Sequence, residues 1–167
     1  MTDFNKISLI LLFASLSQVT ASCQCPSSWI PWGQHCYRFE LGNHASWSDA
    51  ESKCVAWGSF GRQSHLASIH SKQEQAFIYE VFRLGMLQEP RGDWTPLLWI
   101  GLRVATTHED LSWTDGSDVD FLNWYQGEPN NIGNTGAEVS HGIGKDGRWA
   151  DAPNPHRQSP FVCKMPE

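Results

Sequence analysis

Five cysteines, Cys23, Cys25, Cys36, Cys54 and Cys163, constrain the fold of this 167-residue chain more than any other feature. What they do depends on the compartment, and the first residues speak to that. Lys6 sits in a short polar start, and Ile7 to Leu16 follows as an apolar stretch of ten residues. Val19-Thr20-Ala21 is a small-residue end of the A-x-A kind. Residues 1–21 therefore read as a secretory signal peptide cut after Ala21, which leaves residues 22–167 as an extracellular chain. A membrane anchor is the competing reading. Ten residues of helix at about 1.5 Å each cover only about half of a hydrocarbon core of roughly 30 Å, so it is rejected. No later apolar run approaches the length of a span. In an oxidising space cysteines pair. Five is odd, so one is left for another chain or stays free. No Cys-x-x-Cys pair occurs, and Cys and His do not gather at zinc-finger spacing.

Composition narrows the partners. Charged residues at 18% against hydrophobic residues at 40% are globular proportions, and the length suits one domain. Twelve Lys and Arg against 18 Asp and Glu give a net charge of −6, with no basic run. Such a chain lacks the electrostatic footprint of a nucleic-acid binder or of a binder of anionic membranes. Nine tryptophans, all after residue 28, supply apolar area for a core and flat faces for stacking.

Along the chain, 25–40 reads as a short hairpin, with strand character over Cys36-Tyr37-Arg38-Phe39. Ser46 caps a first helix, in which Trp47, Ala50, Cys54 and Trp57 recur at helical spacing and turn Cys54 to the core; Gly58 ends it. His65 to Ile69 is a short strand. Ser71 and Glu74 form a capping box for a second helix with an apolar face of Phe77, Ile78, Val81, Phe82 and Leu84, and Gly85 at its C-terminal end. Leu97 to Leu102 is a continuous apolar run short enough for a buried strand. Residues 103–147, rich in Gly, Asn, Asp and Thr, read as one long loop of the kind that carries function or disorder. Arg148-Trp149-Ala150 and Phe161-Val162-Cys163-Lys164 are late strands. Two early helices followed by strands and a long loop make an α+β domain.

The order and spacing of these pieces carry a resemblance. Cys25-Pro26-x-x-Trp29 with Gly33, Cys36-Tyr37-Arg38-Phe39, the two capped helices, Trp99-Ile100-Gly101-Leu102 and Trp113-Thr114-Asp115-Gly116-Ser117 come first. Asn123-Trp124, Glu128-Pro129-Asn130 and Phe161-Val162-Cys163-Lys164 complete the set. Over Cys25 to Lys164 the chain resembles a C-type lectin-like domain. The resemblance implies a double-loop α+β fold with two helices, small antiparallel sheets and a long irregular loop. It also implies the pairs Cys25–Cys36 and Cys54–Cys163, the second closing about 100 residues and worth on the order of 4–5 kcal/mol in the chain-entropy model. The family's bridge inside the long loop is missing, its positions falling near Gly136 or Ala137 and near Pro155. Cys23 has no family partner and is expected to link two copies as a disulfide-bonded homodimer.

The resemblance also implies a site. In lectins of this family the proline of Glu128-Pro129-Asn130 is cis, and both flanking side chains turn toward one Ca²⁺, a hard ion taking about 6–8 oxygen ligands. Glu128, Asn130 and Asp151 carry over as ligands of Ca²⁺ and of carbohydrate, and the Glu-Pro-Asn order resembles readers of mannose- or glucosamine-type sugars. Glu138 is placed as a shifted further ligand. The family's late Trp-Asn-Asp motif reads Trp149-Ala150-Asp151, so one side-chain oxygen is lost; Asn131, Asp146 and Asn154 are the alternatives that would compensate. The plain reading of Glu128-Pro129-Asn130 is a polar turn. Arg91-Gly92-Asp93 matches an adhesion tripeptide, for which a solvated turn is the favoured reading. Gly142 to Gly147 fits G-x-G-x-x-G by letter but opens no helix and is a turn. No G-x-S-x-G or H-E-x-x-H pattern supports an enzyme. The expected function is a secreted, Ca²⁺-assisted lectin in innate recognition or the matrix. The alternative is a lectin-like domain without sugar binding that contacts protein or mineral.

Overall fold

The computed structural model describes residues 25–87, 97–104, 111–130, 137–142, 147–152 and 157–167, with the backbone alone at 104 and 137–142. The hairpin comes first, as strands β1 (Ile30–Trp32) and β2 (His35–Ala45), followed by helices α1 (Trp47–Ala56) and α2 (Lys72–Met86) on either side of β3 (His65–Leu66). Strands β4 (Leu97–Val104), β5 (Leu111–Trp113), β6 (Ala137–Gly142), β7 (Trp149–Ala152) and β8 (Ser159–Pro166) complete the described elements. They join into one eight-stranded sheet in the order β1-β2-β8-β4-β6-β7, with β3 paired to β8 and β5 to β4. The α+β architecture with two helices and mostly antiparallel pairing is as the sequence implies. A parallel contact between Trp99 and Phe161 connects β4 to β8 and makes the sheet continuous and mixed.

The continuous apolar run of β4 has its explanation in that sheet. Both of its faces are covered. Leu98, Ile100 and Leu102 pack with Tyr37, Val162, Ile78 and Phe82 on the α2 side. Trp99 packs with Ala50, Cys54, Phe161 and Cys163 on the α1 side. A strand buried on both faces has no position for a polar residue. Gly101 serves a close approach. A Cβ there would stand 2.5 Å from Leu66 O and 2.7 Å from Thr114 Oγ1.

Both helix starts follow the sequence. Ser46 Oγ accepts from Asp49 N at 3.2 Å, and Ser71 Oγ accepts from Glu74 N at 3.1 Å. The second half of the expected capping box is absent. The Glu74 carboxylate turns inward instead: it accepts from His70 N at 2.8 Å and from Tyr37 Oη, and pairs with Lys164 Nζ at 2.7 Å. Burial and the hydrogen bond to Glu74 push the Tyr37 phenol well above its ordinary range. The buried side of α2 is Glu74, Gln75, Ile78 and Phe82, whereas Leu84 is 51% exposed. Gly85 lies in the last turn of the helix, where a Cβ would collide with the Leu41 side chain. His65–Ile69 contracts to a two-residue strand: the Ala67 N–H still reaches Val162 O on β8, but its carbonyl turns to accept from Gly101 N on β4.

The largest correction concerns residues 103–147. The stretch holds β5 and β6, and β4 runs on to Val104. Strand β6 (AEVSHG) alternates apolar and polar only over its first four residues and takes its register from β4 and β7 on its two sides. Two disulfides frame the core, Cys25–Cys36 and Cys54–Cys163, the latter spanning 109 positions of sequence. Cys163 is joined to α1, while the next residue, Lys164, is paired to α2.

Removing that cation leaves the Glu74 charge buried without its partner. Lys164→Met is expected to cost about 3–5 kcal/mol of stability at neutral pH, as breaking one side of a buried pair does. Urea unfolding of the two proteins measures it.

Candidate functional site

Strand β7 is the last in the sheet order, and the segment 121–130 is laid against it. Trp124 bridges in parallel to Trp149. Tyr125 N donates to Trp149 O at 2.7 Å, and Trp149 N donates to Asn123 O at 2.8 Å. The Trp149 ring is fully buried. The rings of Trp113, Phe121 and Trp124 meet it edge-on, with centroids 5.8, 5.8 and 5.9 Å away. This aromatic box is the floor on which the site rests.

From Tyr125 the chain turns toward the ligand candidates. Glu128 N donates to Tyr125 O at 3.0 Å, and Gly127 takes φ +88°, a conformation open to glycine. The Glu128–Pro129 peptide is cis. Asn130 Nδ2 donates to Glu128 Oε1 at 2.9 Å, and Asn130 N donates to Asp151 Oδ1 at 3.1 Å. Glu128, Asn130 and Asp151, which stand 21 or more positions apart across the two segments, are thus one cluster. Asn130 is exposed, whereas Asp151 is only 6% exposed. Burial, and after it the hydrogen bond and charge of Asp151, raise the Glu128 carboxyl above its ordinary range. The second carboxyl oxygen of Glu128, Oε2, is buried and has no hydrogen-bond partner among the described residues.

Two neighbouring carboxyls, one with an unpartnered buried oxygen, call for a proton or a cation. The oxygens of Glu128, Asn130 and Asp151 are hard donors, which suit Ca²⁺ and not a thiolate- or imidazole-seeking metal. Among the described residues no group of three or more His, Cys, Asp and Glu gathers at metal-holding range, so the trio depends on its Asn amide. Two of the described histidines are otherwise engaged: His65 Nδ1 meets Glu51 at 2.7 Å, and His70 Nδ1 meets Asp120 at 2.7 Å.

The remaining sequence candidates are placed as follows. The β6–β7 register sets Val139 opposite Asp151 and Glu138 opposite Ala152; the Glu138 side chain lies outside the described residues. Ala150 lies in β7 opposite Ser140 and is half-buried. Cys23, Arg91-Gly92-Asp93, Asn131, Asp146 and Asn154 also lie outside the described residues. Sequence reasoning missed Gln75, a buried residue whose Oε1 accepts from Trp149 Nε1 at 2.7 Å and whose Nε2 donates to Gly147 O at 2.9 Å. Nothing local signals it, because an amide in a first helical turn ordinarily faces water.

With this geometry in place, comparison with known proteins is informative. The Lectin C-type domain family matches residues 43–165. Echinoidin of Heliocidaris crassispina is 33% identical over 147 residues, which cover 85% of this chain and 97% of that protein. The alpha-N-acetylgalactosamine-specific lectin of Patiria pectinifera is 34% identical over 172 residues, covering 99% and 98%. Among solved structures, the EPNH mutant of CEL-I superposes with a TM-score of 0.73 at 34% identity, covering 85% of this chain and 96% of that one. The chain belongs to the C-type lectin domain family.

The raised Glu128 carboxyl makes a pH prediction for the metal-free protein. A group whose pKa is higher folded than unfolded favours the fold in acid, and that contribution is lost as pH rises through the folded value. Wild-type stability relative to Glu128→Gln should therefore fall as pH rises from the ordinary carboxyl value of 4.5 through the raised folded one. Urea unfolding of both proteins across that range, in a chelator, checks the sign.

Proposed function

We propose that this chain is a secreted, sugar-binding lectin, and that Glu128, Asn130 and Asp151 hold one Ca²⁺ through which mannose- or glucosamine-type glycans bind. The observation that carries the reading is the buried, unpartnered Oε2 of Glu128 beside the Asp151 carboxyl. Bound Ca²⁺ supplies a hard positive centre that relieves this arrangement and takes further oxygens from sugar hydroxyls. The chain's own residues do the remaining work. Carboxylate oxygens accept from hydroxyl groups, and the Asn130 amide nitrogen donates. A pair of neighbouring hydroxyls, each able to donate and to accept, matches that mixture. The Patiria relative is specific for alpha-N-acetylgalactosamine by name, whereas the Glu-Pro-Asn order resembles mannose-type readers; a glycan array with and without Ca²⁺ should carry both classes.

Several features of the wider protein belong to the same proposal. Residues 1–21 direct secretion, and residues 22–167 act as one extracellular domain, where a Kd of roughly 10⁻⁴–10⁻³ M suffices for a Ca²⁺ site. Glu138 supplies a further ligand. Cys23 joins two copies, because linked weak sites gain from raised effective concentration. The module binds and performs no bond-making chemistry. A second reading is favoured by one observation, the alanine at position 150, which offers no side-chain oxygen. In that reading the fold contacts protein or mineral without sugar, with Arg91-Gly92-Asp93 as the adhesion element.

Calorimetric titration separates the two. Wild type should take up Ca²⁺ weakly, Glu128→Gln should weaken uptake at least about tenfold (about 1.4 kcal/mol), and Ala150→Asn should strengthen it by restoring an oxygen without charge. No uptake by wild type at millimolar Ca²⁺, and none gained by Ala150→Asn, would hand the site to the second reading.

A further inference from the structure

We propose that Gln75 is a positioning residue for the Glu128–Asn130–Asp151 site: an amide clamp on α2 that holds both segments of the site through Trp149 and touches no ligand itself. The inference rests on the reading of that trio as a cation site and deepens it. Gln75 is 6% exposed, and both halves of its amide are used. The oxygen accepts the indole N–H of Trp149 at 2.7 Å, and the nitrogen donates to the carbonyl of Gly147 at 2.9 Å. A side-chain amide both donates and accepts in one plane at this reach; a carboxylate has no donor, and a thioether has no donor and is only a weak acceptor. Gly147, at φ +68°, lies two residues ahead of Trp149, so the clamp grips the approach to β7 and the first residue of that strand together.

Trp149 passes the constraint to both segments. Two positions further along β7 stands Asp151. In the other direction, Trp149 O accepts from Tyr125 N, and Tyr125 O accepts from Glu128 N. Apolar contact with Trp113, Phe121 and Trp124 fills space around the indole but does not dictate its rotation; the directional bond to Gln75 does. The anchor is itself rigid, because the preceding residue, Glu74, is locked to Lys164 and because Ile78 and Phe82 are fully buried. The position of two mutually repelling carboxyls is thus set by a residue on another element, and holding them in place before the ion arrives lowers the ordering cost of binding.

The test uses Gln75→Met and Gln75→Glu in the full secreted chain. Met keeps the length and loses both bonds. Glu keeps the acceptor for Trp149 and sets an oxygen against Gly147 O. Ca²⁺ affinity is read by calorimetry, and amide hydrogen exchange is read by NMR on the metal-free protein. Gln75→Met should weaken Ca²⁺ binding by roughly 10–100-fold, the range seen when residues supporting metal ligands are lost. It should speed exchange at the Tyr125, Trp149 and Asn130 amides well beyond any change at the β2 amides of Arg38 and Phe39. Gln75→Glu should recover part of the affinity and retain the hydrogen-bonded Trp149 indole signal. Unchanged affinity in Gln75→Met, or exchange that rises equally in β2 and at the site, would overturn the proposal. Should wild type bind no Ca²⁺, the cation reading fails and the exchange pattern alone judges the clamp. Should Gln75→Met not fold, Gln75→Glu carries the same comparison.

Discussion

The buried pair between Lys164 Nζ and Glu74 Oε1, at 2.7 Å with both side chains about 5% exposed, ties the sheet to the helix that supports the site. Its place in the chain explains its reach. Successive side chains of a strand point to opposite faces, so Cys163 and Lys164 face α1 and α2. One face is held by a covalent bond to Cys54, the other by an ion pair that also takes Ser68 O at 3.1 Å. Two buried charges are costly unless each is further satisfied. Here they are: Glu74 also accepts from Tyr37 Oη and His70 N. Ser68 in turn donates to Asp115, which accepts from Ser117 as well, and this extends the network into the segment that follows β5.

On that frame the site is held open by opposition rather than by relief. Asn130 donates from its backbone to Asp151 and from its side chain to Glu128, and so brings two carboxyls together that would otherwise part. A lectin-family chain with this arrangement gains binding energy from whatever neutralises it. The alanine at position 150 sets the opposite pull, since an ion held there draws fewer oxygens from the protein and more from water or ligand.

Much of this was legible from local chemistry. Ser46 and Ser71 announce their helices because a hydroxyl before an apolar-periodic run has one evident use, capping free N–H groups. Leu97 to Leu102 announces a strand buried on both faces because no polar residue interrupts it. Glu128-Pro129-Asn130 was legible as a candidate because the tripeptide sits in family order. The rest depends on partners far away in sequence. Glu74 and Gln75 look like solvated residues of a first helical turn until Lys164 and Trp149 are seen beside them. Strand β6 carries only a short alternation, Ala137 and Val139 against Glu138 and Ser140, and neighbouring strands set its register. The asymmetry is physical: caps and apolar runs are local, whereas burial of a polar group is decided by whatever comes to satisfy it.

The central claim is that Glu128 and Asp151 share one cation. The most direct test is to follow the side-chain carboxyl carbons of these two residues by NMR as Ca²⁺ is added to the metal-free protein. The account predicts that both resonances move together with one midpoint, and that Glu128 ceases to titrate with pH once the ion is bound. Movement of neither resonance at millimolar Ca²⁺, or movement of only one, would contradict it.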